Sequence, residues 1–426
     1  MTDSSFFVDR TGATAPPLSL WPSVIVPKEA IEAEVERLSA LPKPANGQRR
    51  SLIVHPKSKE PGLGLAPGIR VSLDVLLPGE STAPVRHNSS QVNFCIAGAG
   101  SANVAGKRFT FDRFDVWNTP SMDAYVVENK TGERQVRLTY SNAALLEKMN
   151  VHIVDENPPA AALEPPKAAS AKAEKHDQNP FGTFELADGA YLMPYEKLVN
   201  PDVVPSKSLF WQWAAVKEHL DKLEALGQTY RGRRLYLLFN PATGHTNGTT
   251  HNFFATMCLR PANIVDRPHR HTAAAINYYF EGSGYSIVEG QRFDWKAGDL
   301  MLSAPGWGIH NHASKDKPVY ELTIQDSPLN IQMGSLLWQE NLSQPAAGAC
   351  RTDTPAPACV RCTCGRWRLR STGASSSPRR PCPSWRRARG SRRTPCSGCS
   401  PSAPWRRSRR RSALRARDSS GSSPWS

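Results

Sequence analysis

The chain has 426 residues and a formal net charge of +15, values that on their own suggest two or three domains and an acidic partner such as nucleic acid. The charge is not spread evenly. Residues 351–426 contain 19 Arg, no Lys and two acidic residues, whereas residues 1–350 carry a net charge of −2. The body is therefore near neutral, and we predict no nucleic-acid partner for it.

Cysteine usage and the N-terminal composition indicate the compartment. Of the nine Cys, only Cys95 and Cys258 lie in the body, which is typical of a reduced, cytoplasmic protein rather than a disulfide framework. The first residues are acidic and polar, unlike a signal peptide. No apolar run approaches the ~20 residues that a membrane span requires. We expect a cytoplasmic protein without membrane contacts.

The predicted elements follow a tandem order along the chain. An N-terminal region (1–60) contains a helical pattern at 28–41, and a strand-rich segment follows at 61–156. A Pro/Ala/Lys linker (157–180) leads to a second strand-rich segment (181–347) with a helical pattern at 216–227. Short strands separated by close turn signals predict an all-β-dominated fold, with two jelly-roll barrels in tandem and a few flanking helices.

The last segment, 348–426, loses every apolar period. Three interpretations stay open: a disordered arginine-rich arm that binds phosphate, a zinc site built from Cys-x-x-Cys pairs, or the product of a shifted reading frame. The mixture of Arg, Ser, Pro, Cys, Gly and Trp favours the frameshift, because GC-rich codons read out of frame give these residues. The segment is left out of the functional prediction.

The body contains an internal duplication at an offset of 184 residues. VRHNSSQVNFCIAGAGSANVAGKRFTFDRFDVWNTPS starts at Val85, and HRHTAAAINYYFEGSGYSIVEGQRFDWKAGDLMLSAPG starts at His269. Arg, His, Asn, Gly and Asp positions align without a gap. The two strand-rich segments are therefore homologous barrels.

Four histidines of the second copy form two His-x-His pairs. His269 and His271 alternate on a predicted strand and so point to one face, into the barrel. His310 and His312 follow about forty residues later. Three neutral imidazoles that converge in a barrel can bind a divalent transition metal. The alternative is a set of hydrogen-bonded interior histidines.

The segment PHRHTAAAINYYFEGSGYSIVEGQRFDWKAGDLMLSAPGWGIHNH resembles the metal-binding core of the cupin superfamily. It is similar in particular to the gentisate, 1-hydroxy-2-naphthoate and salicylate 1,2-dioxygenases. Ala275 and Ile276 stand where common cupins place a glutamate ligand, which matches the three-histidine subgroup. The resemblance implies that His269, His271 and His310 bind Fe(II). It also implies that His312 contacts the substrate and handles a proton near its hydroxyl.

The same resemblance implies a substrate-binding set. Arg233 and Arg234, in RGRRLYLLFNP, would bind a substrate carboxylate, although a surface pair that caps a helix end is the alternative. Asn277 stands where the family usually has an arginine, which puts gentisate in doubt and favours a substituted salicylate. Trp307 and Tyr278 are candidates to stack on an aromatic ring.

The first barrel has lost these ligands. Val85 aligns with His269 and Tyr125 lies near the position of His310, so His87 alone survives. Taken together, the resemblance implies an Fe(II)-dependent, extradiol-type dioxygenase that inserts both atoms of O2 and opens the ring of a hydroxylated aromatic carboxylate. The substrate would be of the gentisate, substituted salicylate or hydroxynaphthoate class, and the enzyme would act in aromatic-compound degradation as a homo-oligomer. A manganese decarboxylase, an isomerase, or a non-catalytic bicupin that binds a small ligand are the alternatives.

Overall fold

A computed structural model describes residues 6–165, 182–186, 189–194, 206–229 and 233–343. Most of the predicted linker (157–180) and the whole arginine-rich segment (348–426) lie outside the described residues. Within the described residues, no helix combines the length and the apolar character that a membrane crossing needs.

The N-terminal half of the described chain is built mainly from short strands, with two helices. These elements are β1 (Val24–Val26), α1 (Lys28–Ser39), β2 (Arg49–Ile53), β3 (Arg70–Leu76), β4 (Arg86–His87), β5 (Gln91–Ala97), β6 (Gly100–Val104), β7 (Lys107–Phe111), β8 (Val116–Thr119), β9 (Tyr125–Glu128), β10 (Gln135–Ser141), α2 (Ala143–Lys148) and β11 (Val154–Asp155).

The C-terminal half repeats this pattern. Its elements are β12 (Phe184–Glu185), β13 (Tyr191–Leu192), β14 (Phe210–Trp211), α3 (Trp213–Glu224), β15 (Arg234–Leu237), β16 (Phe254–Arg260), β17 (His269–His271), β18 (Ala274–Glu281), β19 (Ser283–Val288), β20 (Gln291–Lys296), β21 (Leu300–Pro305), β22 (His310–Ser314), β23 (Val319–Gln325), α4 (Ser327–Gln332) and β24 (Trp338–Glu340).

Each half forms a barrel of antiparallel sheets. In the first barrel the strand orders are β14-β8-β5-β10-β3-β2 and β7-β6-β9, and in the second they are β1-β21-β18-β23-β16-β15 and β20-β19-β22-β17-β24. The prediction of an all-β-dominated pair of jelly-roll barrels is confirmed. The predicted helices are present, as α1 and α3.

The barrels exchange short strands, which moves their boundaries from the predicted positions. β1 pairs with β21 of the second barrel, and β14 pairs with β8 of the first. The first barrel also includes β2, which pairs with β3 and lies before the predicted start at residue 61. These strands are two to five residues long and carry no clear alternation, so their pairing follows from tertiary contacts rather than from a local pattern.

Alternate residues of the central strands form one core between the barrels. Phe94 of the first barrel packs edge-on against Tyr278 of the second, at 5.8 Å between ring centroids, and Phe280 lies as close to Phe94. Tyr278 was a candidate for substrate stacking. The structure instead buries it between the barrels, because even-numbered residues of β18 face the neighbouring barrel and odd-numbered ones face the interior.

Candidate metal centre

Three of the four predicted histidines converge inside the second barrel. His269 and His271 lie on β17 and His310 on β22, and the antiparallel register places His269 directly opposite His310. One ring nitrogen from each of the three histidines lies within 4.8 Å of the others. All three side chains are buried. The strand period of two therefore brings the three imidazoles to one point of the interior.

Backbone carbonyls fix the tautomer of each imidazole. His269 Nδ1 donates to Arg267 O (2.9 Å), His271 Nδ1 to Ala273 O (2.8 Å) and His310 Nδ1 to Gly308 O (2.9 Å). A carbonyl oxygen only accepts, so the proton lies on Nδ1 and the lone pair on Nε2. In metal sites, histidine ligands are oriented in this way, by a hydrogen bond from the ring nitrogen that does not bind the metal.

Burial keeps the three imidazoles neutral. It lowers the pKa of His271 to about 4, with a further contribution from His269. Burial also lowers the pKa of His269, and it brings that of His310 well below its ordinary value. Three buried lone pairs that face one another are unfavourable without a positive charge between them. The donor set therefore fits a divalent transition metal.

His312 lies next to the three histidines but does not join them. Its ring is 5.6 Å from that of His310, and its Nδ1 shares a hydrogen bond with Ser286 Oγ (2.7 Å). Ser286 in turn accepts a hydrogen bond from Trp295 Nε1 (2.9 Å). This chain of contacts holds the ring of His312 in the barrel interior, beside the metal-binding group.

Arg233 precedes β15 and Arg234 begins it, and the two side chains point in opposite directions. Arg233 Nε lies 3.4 Å from Asp266 Oδ2, close to His269, and the side chain is partly exposed. Arg234 pairs with Glu224 at 2.8 Å and donates to Gly227 O (2.9 Å), at the end of α3. Arg233 therefore lies beside His269, and Arg234 contacts the end of α3.

An aromatic residue that sequence reasoning missed covers the histidines. Trp338 on β24 stacks on His271 (centroids 5.0 Å apart, planes 24° apart) and on His269 (5.4 Å, 18°). β24 pairs with β17 so that Trp338 is opposite His271 and Glu340 opposite His269. Trp338 is an exposed aromatic residue at the start of a short strand, β24. Because β24 lies far from the histidines in sequence, no local pattern indicated that Trp338 would contact them.

These residues surround a cavity at the mouth of the barrel. Its volume is about 250 Å³, and its walls combine cationic, aromatic and imidazole groups with two carboxylates. The lining residues are Arg233, Asp266, Arg267, His269, Trp338, Glu340 and Asn341. Such a cavity suits a small planar ligand beside His269, with Arg233 as a partner for an anionic group.

Two predicted substrate residues occupy other positions. Asn277 faces the barrel interior, where its amide donates to Thr323 Oγ1 (2.9 Å) and accepts from Ser303 Oγ, so both ends are engaged. The ring of Trp307 lies under the guanidinium of Arg270, 4.4 Å from its carbon. Arg270 alternates with His269 and His271, so Trp307 packs on the outer face of β17, away from the histidines.

The first barrel repeats this geometry without the ligands. Val85 pairs with Tyr125 as His269 pairs with His310, and His87 Nδ1 donates to Ser89 O (2.9 Å). The lone pair of His87 Nε2 is directed at Gln91 Nε2 (3.0 Å) and the Tyr125 hydroxyl (3.3 Å). The amide of Gln91 and the hydroxyl of Tyr125 thus occupy the side of His87 Nε2 on which a metal ion would bind.

The fold and the three histidines together define a bicupin with a candidate metal site in its second barrel. No model of a known protein family matches the chain. It is similar to the 5-nitrosalicylic acid 1,2-dioxygenase of Bradyrhizobium sp, at 30% identity over 176 residues, 38% of this chain and 83% of the relative. It is also similar to the 5-aminosalicylate 1,2-dioxygenase of Comamonas sp, at 24% identity over 62% of this chain and 67% of that protein.

A solved structure supports the fold independently. The salicylate 1,2-dioxygenase of Pseudoaminobacter salicylatoxidans, in an adduct with gentisate, superposes with a TM-score of 0.61 at 15% identity, over 78% of this chain and 88% of that one. The chain belongs to the family of ring-cleaving aromatic 1,2-dioxygenases that contains the 5-nitrosalicylic acid enzyme. It is an oxidoreductase that opens the ring of an aromatic small molecule.

Proposed function

We propose that this enzyme uses Fe(II), bound by His269, His271 and His310, to open the ring of a substituted salicylate. The observation that carries the proposal is that three kinds of side chain lie together. They are three neutral, pre-oriented imidazoles, the guanidinium of Arg233 and the partly exposed ring of Trp338. A 2-hydroxybenzoate presents the matching groups, namely adjacent hydroxyl and carboxylate oxygens on a flat ring.

The ligand set suits this substrate electrostatically. Three neutral histidines leave a bound divalent ion its full charge, whereas a carboxylate ligand would cancel part of it. When bound, Fe(II) supplies open coordination positions for two substrate oxygens and for O2. The chain's own contribution is to orient the three Nε2 atoms through the carbonyls of Arg267, Ala273 and Gly308.

Arg233 is the proposed partner of the substrate carboxylate. Its guanidinium lies at the wall of the mouth cavity, and only its Nε approaches Asp266 at 3.4 Å. Asp266 also accepts a hydrogen bond from Arg260, at 2.6 Å, so it keeps one partner when Arg233 turns away. Arg260 is shared with Glu321, at 3.0 Å, so Arg233 still contributes to the charge balance of Asp266. The planar fork of Arg233 can therefore turn to a carboxylate without leaving Asp266 unpaired.

Trp338 and His312 complete the proposed substrate pocket. Trp338 has 38% of its surface exposed and covers His269 and His271, so an aromatic substrate that reaches the ligands passes along its face. His312 is buried beside His310 and is fixed through Ser286. The ring thus lies between an aromatic wall and a polar interior residue, which excludes water from the reacting carbons.

The proposal favours a salicylate with a nitrogen substituent at C5 over gentisate, which is 5-hydroxysalicylate. Asn277 is uncharged and is engaged by Thr323 and Ser303, so a cationic side chain of the cavity takes the carboxylate, and we assign this contact to Arg233. Two relatives act, by name, on 5-nitrosalicylic acid and 5-aminosalicylate. Both substrates are salicylates with a nitrogen substituent at C5, where gentisate has a hydroxyl, and we assign the nitrogen-substituted class to the present enzyme.

Oxygen uptake tests the proposal directly. The full chain is purified without oxygen, loaded with Fe(II) and mixed with salicylate, 5-nitrosalicylate, 5-aminosalicylate, gentisate or 1-hydroxy-2-naphthoate. We expect one O2 consumed per substrate molecule, loss of the aromatic absorbance and both atoms of 18O2 in the product, for 5-nitrosalicylate or 5-aminosalicylate. Bound iron without uptake for any of these compounds contradicts the proposal.

A further inference from the structure

The first barrel contains a cavity of its own, at the end that corresponds to the metal-binding end of the second barrel. Its volume is about 470 Å³, larger than the mouth cavity of the second barrel and within the range of small-molecule sites. Val85, His87 and Tyr125 line it, and these are the residues that replace the metal-binding set. Leu52, Pro84 and Val154 add apolar walls.

The inner wall of this cavity carries an excess of positive charge. Arg50 reaches the cavity, and its Nε donates to Asp74 Oδ1 at 2.6 Å. The same carboxylate lies 3.8 Å from the guanidinium of Arg137, which is buried and has Nη1 without a partner among the described residues. Two guanidinium groups thus share one carboxylate. Burial opposes the charge of Arg50, but Asp74 outweighs it and raises the pKa of Arg50.

A buried acceptor in the same wall has no partner. Gln91 is 5% exposed and lines the cavity, and its Oε1 has no hydrogen-bond partner among the described residues. Its Nε2 is held by His87 at 3.0 Å. Burial lowers the pKa of His87 to about 4, so the ring adds no charge. A buried polar atom without a partner is costly, and a ligand that donates a hydrogen bond removes that cost.

The charges at the mouth do not cancel this excess. Arg70 is bound to Glu147 through two hydrogen bonds, and His152 also contacts that carboxylate at 3.3 Å. Glu156 lies at the exposed rim, where water screens it. The interior of the cavity therefore offers an accessible cation and an unpartnered acceptor, and apolar side chains lie at its exposed rim.

We propose that the first barrel binds a small hydroxylated organic acid, with the carboxylate on Arg50 and the hydroxyl donating to Gln91 Oε1. The hydrocarbon part lies against Leu52, Pro84 and Val154. The site needs neither a metal nor ring cleavage, so it stands apart from the function assigned to the second barrel. A second site on the same chain gives the degenerate barrel a binding role beyond packing.

Counting bound acids on the full-length, iron-loaded protein without oxygen tests this site. The probes are benzoate, which has only the carboxylate, and salicylate, which adds the hydroxyl; calorimetry gives the number of sites. We expect two salicylate sites per chain. His269→Ala removes the site in the second barrel and leaves the one in the first. A wild-type chain with a single site that His269→Ala abolishes overturns the proposal.

Arg50→Gln and Arg49→Gln form a matched pair. Both arginines lie on β2 and contact a carboxylate, but Arg49 pairs with Glu80 outside the cavity. In Arg50→Gln we expect the first-barrel affinity to fall roughly tenfold or more for both probes, because a charge-assisted hydrogen bond is lost. Arg49→Gln keeps both sites at their wild-type affinity. Equal behaviour of the two variants overturns the assignment.

Gln91→Leu separates the hydroxyl contact from folding. This variant retains Arg50 and its ion pair, and we expect it to weaken salicylate in the first barrel several-fold while benzoate is unchanged. Equal effects on the two probes contradict the role of Gln91. If Arg50→Gln does not fold, a crystal of the wild-type protein soaked in 4-bromobenzoate decides. The bromine signal is expected in the first-barrel cavity, with the carboxylate at Arg50, and its absence there overturns the proposal.

Discussion

Arg233 and Arg234 are neighbours in sequence with opposite surroundings, so replacing each by Gln isolates the proposed carboxylate contact. Arg233→Gln removes the cation from the mouth cavity, whereas Arg234→Gln removes the contacts to Glu224 and Gly227 O. A hydrogen bond to a charged group contributes about 1.5–3 kcal/mol. Arg233 keeps 29% of its side chain exposed, so water replaces part of the lost contact and the lower end of that range applies.

A loss of about 1.5–2 kcal/mol corresponds to a roughly 10- to 30-fold fall in kcat/KM for Arg233→Gln. The fall in kcat/KM is expected to come from a rise in KM with kcat unchanged, because the carboxylate keeps its charge as the ring opens and its binding is uniform along the reaction. Initial rates of oxygen uptake, measured on the fastest 5-substituted salicylate, provide both constants.

Arg234→Gln is the control, and it is expected to change stability instead of kinetics. Loss of the partly buried contact to Glu224 and of the carbonyl contact lowers the free energy of unfolding by about 1 kcal/mol, and kcat/KM stays within about twofold of the wild type. An unchanged KM in Arg233→Gln, or an equal rise in both variants, refutes the assignment of the carboxylate to Arg233.

Three further predictions follow from single residues. The Trp338→Ala variant is expected to keep its metal and to raise KM by about three- to tenfold, because the contact between Trp338 and the substrate ring is lost. An unchanged KM contradicts the proposed contact of Trp338 with the substrate. Burial, only partly offset by the Ala274 N–H, raises the pKa of Asp326 to about 6, so the folded state retains a proton that the unfolded state has released above its ordinary pKa of 3.8. The wild type therefore loses up to about 3 kcal/mol of stability as pH rises from about 4 through 6, and Asp326→Asn abolishes this dependence in urea unfolding; parallel curves for the two proteins contradict it. Burial raises the pKa of Cys95 to about 12 and also raises the pKa of Cys258, so neither thiol is reactive in the folded protein. After alkylation, mass-spectrometric mapping is expected to find both cysteines unmodified until the protein is unfolded. Rapid labelling of either cysteine in the native protein contradicts this burial.

The duplication and the histidine pairs could be predicted from sequence because both are local patterns. The offset of 184 residues aligned Val85 with His269 and His87 with His271, and the structure reproduces this correspondence in the pairing of Val85 with Tyr125 and of His269 with His310. A period of two on a strand was sufficient to direct His269 and His271 to one face.

Other features depend on contacts that no local pattern encodes. The side of β15 on which Arg233 lies is fixed by where the strand starts, and a shift of one residue would exchange Arg233 and Arg234. Trp338 reaches the histidines because β24 adds to the edge of β17, far away in sequence. The exchange of β1 and β14 between barrels rests on strands of two or three residues, which carry too little pattern to predict.

Metal content in a pair of histidine variants tests the central claim most directly. The wild-type chain, loaded with Fe(II) and freed of excess metal, is predicted to hold one iron per chain. His269→Ala is predicted to hold almost none, and His87→Ala, which alters the corresponding barrel without the converging set, still holds one. Iron that persists in His269→Ala together with oxygen uptake, or that is lost in His87→Ala instead, contradicts a catalytic metal centre at His269, His271 and His310.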